Sequence, residues 1–283
     1  MTVSTRWIDV EGARLYAEEA GKGDAVTMLH GFLVDSGQWD AEFAALAGGH
    51  HVLRYDARGF GRSTIAPMNY AHHEDLLAVL DACGIDRTAL LACSGGAATA
   101  LDFTLLHPER VSALIFVGAG YWGQFADHTP AARAFLQALG TYDVPELIDS
   151  SLRAFTDGPR RQMRDVDAVA RRHAQAMTAA MFQREQNYWR RAAQDQRTPQ
   201  PSALERLHQI DVPSLLMVGG EDQPEAQALS ERLADGIRDA RLLVVQGAGH
   251  HTNLEAPDAV LAEIRAWLRR PASQHAGVEE MVS

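Results

Sequence analysis

Three residue types used in nucleophilic catalysis follow three apolar runs of this sequence. Ser94 ends the run ALLACS, Asp222 follows SLLMVGG after one glutamate, and His250 follows LLVVQ and a Gly-Ala-Gly turn. A serine hydroxyl is a weak nucleophile that needs a base, and an imidazole base needs an acceptor that orients it. The pattern therefore predicts Ser94 as nucleophile, His250 as base and Asp222 as the acid that holds the base.

Ser94 lies where a predicted strand runs directly into a helical pattern. Such a turn needs small neighbours, and the expected motif is Gly-x-Ser-x-Gly. Residues 92–96 read Ala-Cys-Ser-Gly-Gly, so alanine replaces the first glycine. The helix N-terminus would offer backbone N–H groups to a developing oxyanion. We expect the N–H groups of Gly95 and Phe32 to form the oxyanion hole, because His30-Gly31-Phe32 makes a turn at the same sheet edge.

Neighbouring residues compete for the roles of base and acid. His251 directly follows His250, and Glu221 and Glu225 flank Asp222. The residue that comes immediately after the glycine turn is the better candidate for the base. An aspartate after a strand is often only a turn or cap residue, so the order of the three residues along the chain carries the prediction.

Six apolar runs rich in Val, Ile, Leu and Met alternate with helical patterns, as is typical of a buried parallel sheet. The runs span residues 25–30, 51–56, 89–94, 112–118, 214–220 and 241–247. Two earlier segments, separated by Glu11-Gly12, alternate in the manner of an antiparallel hairpin. The sequence predicts an α/β fold with a mostly parallel, doubly wound sheet of eight strands.

The stretch 122–207 interrupts this alternation with helical periodicity and no convincing strand. We interpret it as an inserted helical cap, between core segments 1–121 and 208–272, with a loose C-terminal tail at 273–283. Most arginines of the cap are expected to form a solvated helix face. They are Arg160, Arg161, Arg164, Arg171, Arg172, Arg190 and Arg191.

Composition limits the possible partners of this 283-residue chain. Its formal net charge of -11 argues against a nucleic-acid backbone or an anionic membrane as partner, and a small molecule fits better. Two cysteines are too few for a disulfide framework, and no apolar stretch has signal-peptide or membrane-span length. No HExxH, CxxC, Walker or dinucleotide motif is present, so we expect no metal and no cofactor. We expect a cytoplasmic protein, and its oligomeric state stays open.

Taken together, several segments resemble the α/β-hydrolase superfamily, in its branch of small serine esterases, lactonases and carbon-carbon hydrolases. They are LHGF at 29–32, YDARGFGRS at 55–63, ACSGGAATALDFTLLHPERVSAL at 92–114, VPSLLMVGGED at 212–222 and GAGHHTNLEAP at 247–257. The resemblance implies a triad of Ser94, Asp222 and His250 with oxyanion donors Phe32 and Gly95. It implies cleavage of a carboxylic ester or lactone, with carbon-carbon bond hydrolysis or a non-catalytic receptor role as alternatives.

Overall fold

The computed structural model describes residues 2–66, 69–124, 128–183 and 196–270. Its centre is one eight-stranded sheet with the strand order β1-β2-β4-β3-β5-β6-β7-β8. The strands β1 and β2 form the antiparallel hairpin, β2 pairs antiparallel with β4, and all later pairings are parallel. The predicted mostly parallel eight-stranded sheet is thus confirmed. The strands are β1 Val3–Val10, β2 Ala13–Ala20, β3 Ala25–Leu29, β4 His51–Tyr55, β5 Thr88–Ser94, β6 Val111–Ala119, β7 Ser214–Gly219 and β8 Ala240–Val245.

The α-helices follow the strands and start at residues suited to a first turn. Thr129 accepts a hydrogen bond from the backbone N–H of Ala132, and Pro130, Pro224 and Pro257 begin three of the helices. The helices are α1 Asp40–Leu46, α2 His72–Ala82, α3 Gly95–Leu106, α4 Pro130–Thr141, α5 Val144–Ser151, α6 Ala168–Gln183, α7 Pro224–Gly236, α8 Thr252–Glu255 and α9 Pro257–Leu268.

Two apolar layers cover the two faces of the sheet. Leu90 and Leu91 are consecutive on β5 and fully buried, yet they belong to opposite layers, because side chains alternate along a strand. The layer around Leu90 packs against α2, α3 and α7, and the layer around Leu91 packs against α1 and α9. Trp39 ends a 3₁₀ turn that precedes α1 and is fully buried in the second layer. Loops at the carboxyl ends of the parallel strands are thereby fixed at one edge.

The helices α4, α5 and α6 and a π-helical turn at Leu152–Asp157 lie between β6 and β7 in the chain. We call residues 128–183 the cap. The cap has its own apolar cluster, in which Phe135, Leu147 and Phe182 are buried together with Phe60 of the core. The predicted domain boundaries themselves stay a prediction, and the tail at 273–283 lies outside the described residues.

In the part of the chain that the structure describes, no helix combines the length and the apolar character that a membrane crossing requires.

Candidate active site

Ser94 stands on a strained turn between β5 and α3. Its backbone angles are φ 48° and ψ -118°, a conformation that non-glycine residues rarely adopt and that costs on the order of 1–3 kcal/mol. The chain also passes very close to the loop after β3, since a side chain at Gly96 would collide with the backbone oxygens of Leu29 and His30. The strain and the close approach together hold the Ser94 hydroxyl above the sheet edge.

His250 and Asp222 are brought together by the loops after β8 and β7. The His250 Nδ1 atom lies 2.8 Å from Asp222 Oδ2, and both side chains are buried. Burial by itself would lower the pKa of His250, but the Asp222 charge and hydrogen bond outweigh it, so the pKa is raised above 6.5. The backbone N–H of Gln223 donates to the other carboxylate oxygen, at 2.6 Å. Asp222 is thus positioned to orient the imidazole.

The second ring nitrogen of His250 is the atom that would accept the proton of Ser94. Nε2 of His250 is buried and has no hydrogen-bond partner among the described residues. Ser94 and His250 line one cavity, but no hydrogen bond joins Nε2 to the serine hydroxyl. Catalytic hydrogen bonds are often long in unliganded enzymes and shorten when substrate binds. The predicted roles of Ser94, Asp222 and His250 stay predictions that this arrangement is consistent with.

The two expected oxyanion donors flank Ser94 from different loops. Gly95 is the first residue of α3, where a backbone N–H has no partner within the helix. Phe32 lies in the loop after β3 and lines the same cavity as Ser94 and Gly95. That loop is fixed from behind, because the N–H of Gly31 donates to Gln38 Oε1 at 2.8 Å. The arrangement fits the predicted oxyanion hole, which stays a prediction.

Two further buried histidines near the site, His251 and His30, are occupied by structural contacts. Nδ1 of His251 lies 3.1 Å from the Thr156 hydroxyl, and burial lowers the pKa of His251 to about 3. His30 is buried and bonds its own loop, with Nδ1 2.7 Å from the Gly31 oxygen and Nε2 accepting from Ala57 N–H. Both histidines therefore bond the loops, and neither lines the cavity that Ser94 and His250 share.

The carboxylate rivals of Asp222 lie elsewhere. Glu221 forms an ion pair with Arg160 at 3.0 Å on the surface side of the loop. Glu225, in the first turn of α7, lines the cavity and has His128 Nδ1 2.6 Å from one of its oxygens. Within the described residues, the carboxylate that bonds His250 is that of Asp222, and neither glutamate forms a hydrogen bond or ion pair with His250.

A cavity of about 320 Å³ extends from Ser94 into the cap. Its walls are dominated by apolar and aromatic side chains from the oxyanion loop, the segment after β6 and the cap. They include Phe32, Leu33, Trp122, Phe135, Leu139 and Phe155. Such walls suit a substrate with an apolar group.

The aromatic wall of the cavity is anchored in the core. Trp122 stacks on His72 with ring centroids 5.8 Å apart, and its indole N–H donates to buried Asp102 at 2.9 Å. Tyr121 donates to the other oxygen of Asp102, also at 2.9 Å. Burial raises the pKa of Asp102, while the two hydrogen bonds act in the opposite direction. The position of Trp122 is thus fixed from α3.

The cap contacts the His250 loop directly through polar groups. The backbone N–H of His250 donates to the Phe155 oxygen at 3.1 Å. Arg161 forms an ion pair with Glu255 at 2.7 Å, and both side chains are mostly buried. Glu255 in turn accepts from Gly249 N–H at 2.8 Å. This chain of contacts ties the cap to the residue next to the proposed base.

Two of the cap arginines depart from the solvated helix face that is expected for most of them. Arg161 is only 10% exposed, and Arg171 is 11% exposed and paired with Asp157. The partner of Arg161 is Glu255, 94 residues later in the chain, and the partner of Arg171 lies in a different segment of the cap. Helical periodicity alone could not identify either partner. Arg190 and Arg191 lie outside the described residues.

Among the described residues, no group of three His, Cys, Asp or Glu side chains is arranged to hold a metal ion.

The sheet order, the cap between β6 and β7, and the serine on a strained strand-to-helix turn point to one family. A model of that family, described as alpha/beta hydrolase fold, matches residues 24–257. The chain belongs to the α/β-hydrolase family. The resemblance noted in the sequence is thereby confirmed, and the chain is an enzyme of the hydrolase class.

Its relatives in the family differ in the bond that their names describe. The chain is 27% identical over 262 residues to a 2-hydroxy-6-oxo-6-phenylhexa-2,4-dienoate hydrolase of Comamonas testosteroni, covering 88% of this chain and 89% of the relative. It is 28% identical to a putative carbamate hydrolase of Azorhizobium caulinodans, covering 87% and 91%. A solved structure of an N-acyl homoserine lactone degrading enzyme is 26% identical, with a TM-score of 0.76 over 93% of this chain and 100% of that one.

Proposed function

We propose that this protein is a serine hydrolase that cleaves a carboxylic ester or lactone through an acyl-enzyme on Ser94. The observation that carries the proposal is the position of Ser94 on a strained turn, in one apolar cavity with His250, whose Nδ1 is bonded to Asp222. This is the constellation that general-base activation of a serine requires.

The proposed reaction uses the groups in turn. Nε2 of His250 accepts the Ser94 proton as Oγ attacks the carbonyl carbon, and Asp222 stabilises the imidazolium that forms. The oxyanion accepts hydrogen bonds from the backbone N–H groups of Phe32 and Gly95. The imidazolium then protonates the leaving alkoxide, and His250 activates a water that hydrolyses the acyl-enzyme. No cofactor is required for these steps.

The apolar cavity favours ester or lactone substrates with an apolar acyl group. The similarity to the N-acyl homoserine lactone degrading enzyme supports a lactone substrate. The aromatic walls of the cavity in this chain would suit an acyl chain. The alternative is hydrolysis of a carbon-carbon bond in a diketone-like substrate, which the similarity to the dienoate hydrolase keeps open. A dienoate carries a carboxylate, and a carboxylate that entered the cavity would meet the side chain of Glu225. This contact favours the ester or lactone.

The proposal is tested by kinetics of wild type and Ser94→Ala on 4-nitrophenyl esters of increasing chain length, a γ-lactone and a vinylogous 1,5-diketone. We expect kcat/KM on the esters to fall by about 10³-fold or more in Ser94→Ala, because the nucleophile is lost. Ser4→Ala, which changes an exposed serine on edge strand β1, is the matched control and keeps full activity.

Two other outcomes would replace the proposal. Turnover of the diketone alone would support the carbon-carbon hydrolase. Labelling of Ser94 by a fluorophosphonate without turnover of any substrate would support a small-molecule receptor on the same fold. Full ester activity in Ser94→Ala would show that the proposed mechanism is wrong.

A further inference from the structure

Glu225 is a charged side chain in an otherwise apolar part of the proposed substrate cavity. Apart from Asp222 and His250, which bond each other, it is the one ionisable acid or base among the described residues that line this cavity, tyrosine aside. It belongs to the first turn of α7, three residues after Asp222. Glu225 therefore lines the same side of the cavity as Asp222, the proposed catalytic acid.

The carboxylate of Glu225 is only partly compensated by its neighbours. His128 Nδ1 lies 2.6 Å from Oε1, but the His128 side chain is 69% exposed while that of Glu225 is 13% exposed. Oε2 is buried and has no hydrogen-bond partner among the described residues. A buried carboxylate oxygen without a donor is costly, so a ligand that supplies a donor or a positive charge gains free energy there.

We propose that Glu225 sets the charge selectivity of the cavity, favouring ester substrates that bring a hydrogen-bond donor or a positive charge and disfavouring those that carry a carboxylate. The inference rests on the proposed ester hydrolysis and names the substrate class of that same site. A carboxylate on the acyl group would lie in the same low-dielectric cavity as the Glu225 carboxylate, where like charges repel strongly. The net charge of the whole chain, -11, adds to this repulsion.

Three 4-nitrophenyl esters of similar acyl length test the inference. They are the neutral pentanoate, the anionic hemiglutarate and the cationic 4-(trimethylammonio)butanoate. For wild type we expect kcat/KM for the anionic ester to be about ten-fold or more below that for the neutral ester, and the cationic ester to match or exceed the neutral one.

The variant Glu225→Gln keeps the shape of the side chain and removes its charge. We expect it to raise the ratio of anionic to neutral kcat/KM by about ten-fold and to lower the relative rate on the cationic ester. Glu231→Gln is the matched control, because Glu231 is an exposed residue on the same helix that does not line this cavity. His128→Ala removes the imidazole beside Glu225, so we expect the ratio of anionic to neutral kcat/KM not to rise.

The outcomes separate this inference from the proposed function. If wild type turns over the neutral ester but accepts the hemiglutarate equally well, or if Glu225→Gln leaves the ratio at the wild-type value, the inference is wrong and the ester hydrolase stands. If Glu225→Gln does not fold, Glu225→Leu, which removes the charge with a side chain of similar size, is measured in its place. If wild type hydrolyses none of the three esters, the proposed function fails and the inference fails with it.

Discussion

The loop that carries His250 is held from two sides by different kinds of contact. On the cap side, Arg161 forms a mostly buried ion pair with Glu255, and the Phe155 oxygen accepts from His250 N–H. On the core side, the Asn253 amide donates to the Gln38 oxygen at 2.9 Å and lies 3.4 Å from a Glu42 oxygen.

The two sides should respond differently to pH. Burial raises the pKa of Glu42 to about 7, and one of its oxygens has no partner among the described residues. Burial also raises the pKa of Glu255, but the hydrogen bonds from Arg161 and from the Gly249 N–H act against that rise. An ion pair with a permanently charged guanidinium holds the cap side, whereas the core side includes a carboxyl that resists ionisation. We therefore expect the core-side contacts to change near neutral pH.

The largest effect is expected at Asp222, whose carboxylate is the acceptor of the His250 ring. Asp222→Asn keeps the size of the side chain but removes the charge and disturbs the imidazole tautomer, so we expect kcat to fall by about 10⁴-fold. Activity requires neutral His250, so kcat/KM rises with pH through the pKa of His250. That pKa is raised by Asp222, and we expect the acid limb of the variant's pH profile to move to lower pH.

If the acid limb of the pH profile in Asp222→Asn falls at the same pH as in wild type, Asp222 does not set the ionisation of His250. The pH dependence of residual kcat/KM, measured on one neutral ester, decides between these results.

The cap side is tested by breaking its ion pair. Arg161→Ala leaves Glu255 buried without its cation, and we expect the free energy of unfolding to fall by about 3 kcal/mol. Arg164→Ala, at an exposed arginine of the cap, should change it by less than about 0.5 kcal/mol. Urea unfolding monitored by tryptophan fluorescence measures both variants. Equal free energies of unfolding in the two variants would show that the buried ion pair of Arg161 does not stabilise the fold.

A smaller effect is expected on the core side, and it depends on pH. Glu42 in the unfolded chain ionises near 4.5, but in the folded protein it keeps its proton until about pH 7. Wild type therefore loses stability relative to Glu42→Gln as the pH rises from 4.5 to 7, by about 2 to 3 kcal/mol. Urea unfolding of both proteins at pH 5 and pH 8 measures this difference.

Two parallel pH profiles for wild type and Glu42→Gln would show that burial does not hold the Glu42 proton. Glu231→Gln serves as the exposed control and should follow wild type at both pH values.

The strand-borne part of the site could be predicted from sequence, because apolar runs mark the strands and a parallel sheet brings their carboxyl ends to one edge. Ser94, Asp222 and His250 all stand at such ends. The contacts of Arg161, Gln38 and Asn253 could not be predicted. Each of these contacts joins segments far apart in the chain, and the contact between Gln38 and Asn253 is an example. Arginine, glutamine and asparagine are also common on ordinary surface helices, so residue type gives no signal.

The cap illustrates the same limit. Its helical period identified α6, where apolar residues recur along one face. Which side chains line the cavity depends on how the helices cross over Ser94, and neither periodicity nor composition specifies that crossing. From sequence, Glu225 is only a rival of Asp222 for the role of acid, and nothing in its spacing indicates that it lines the cavity.

The stoichiometry of inactivation shows whether Ser94 is the nucleophile. Wild type would be titrated with a fluorophosphonate while ester turnover is followed, and the modified peptide would be identified by mass spectrometry. We expect turnover to fall in proportion to labelling of the peptide that contains Ser94, with one label per chain at full inactivation. Complete labelling of Ser94 with turnover retained, or inactivation with the label on another residue, would contradict the account.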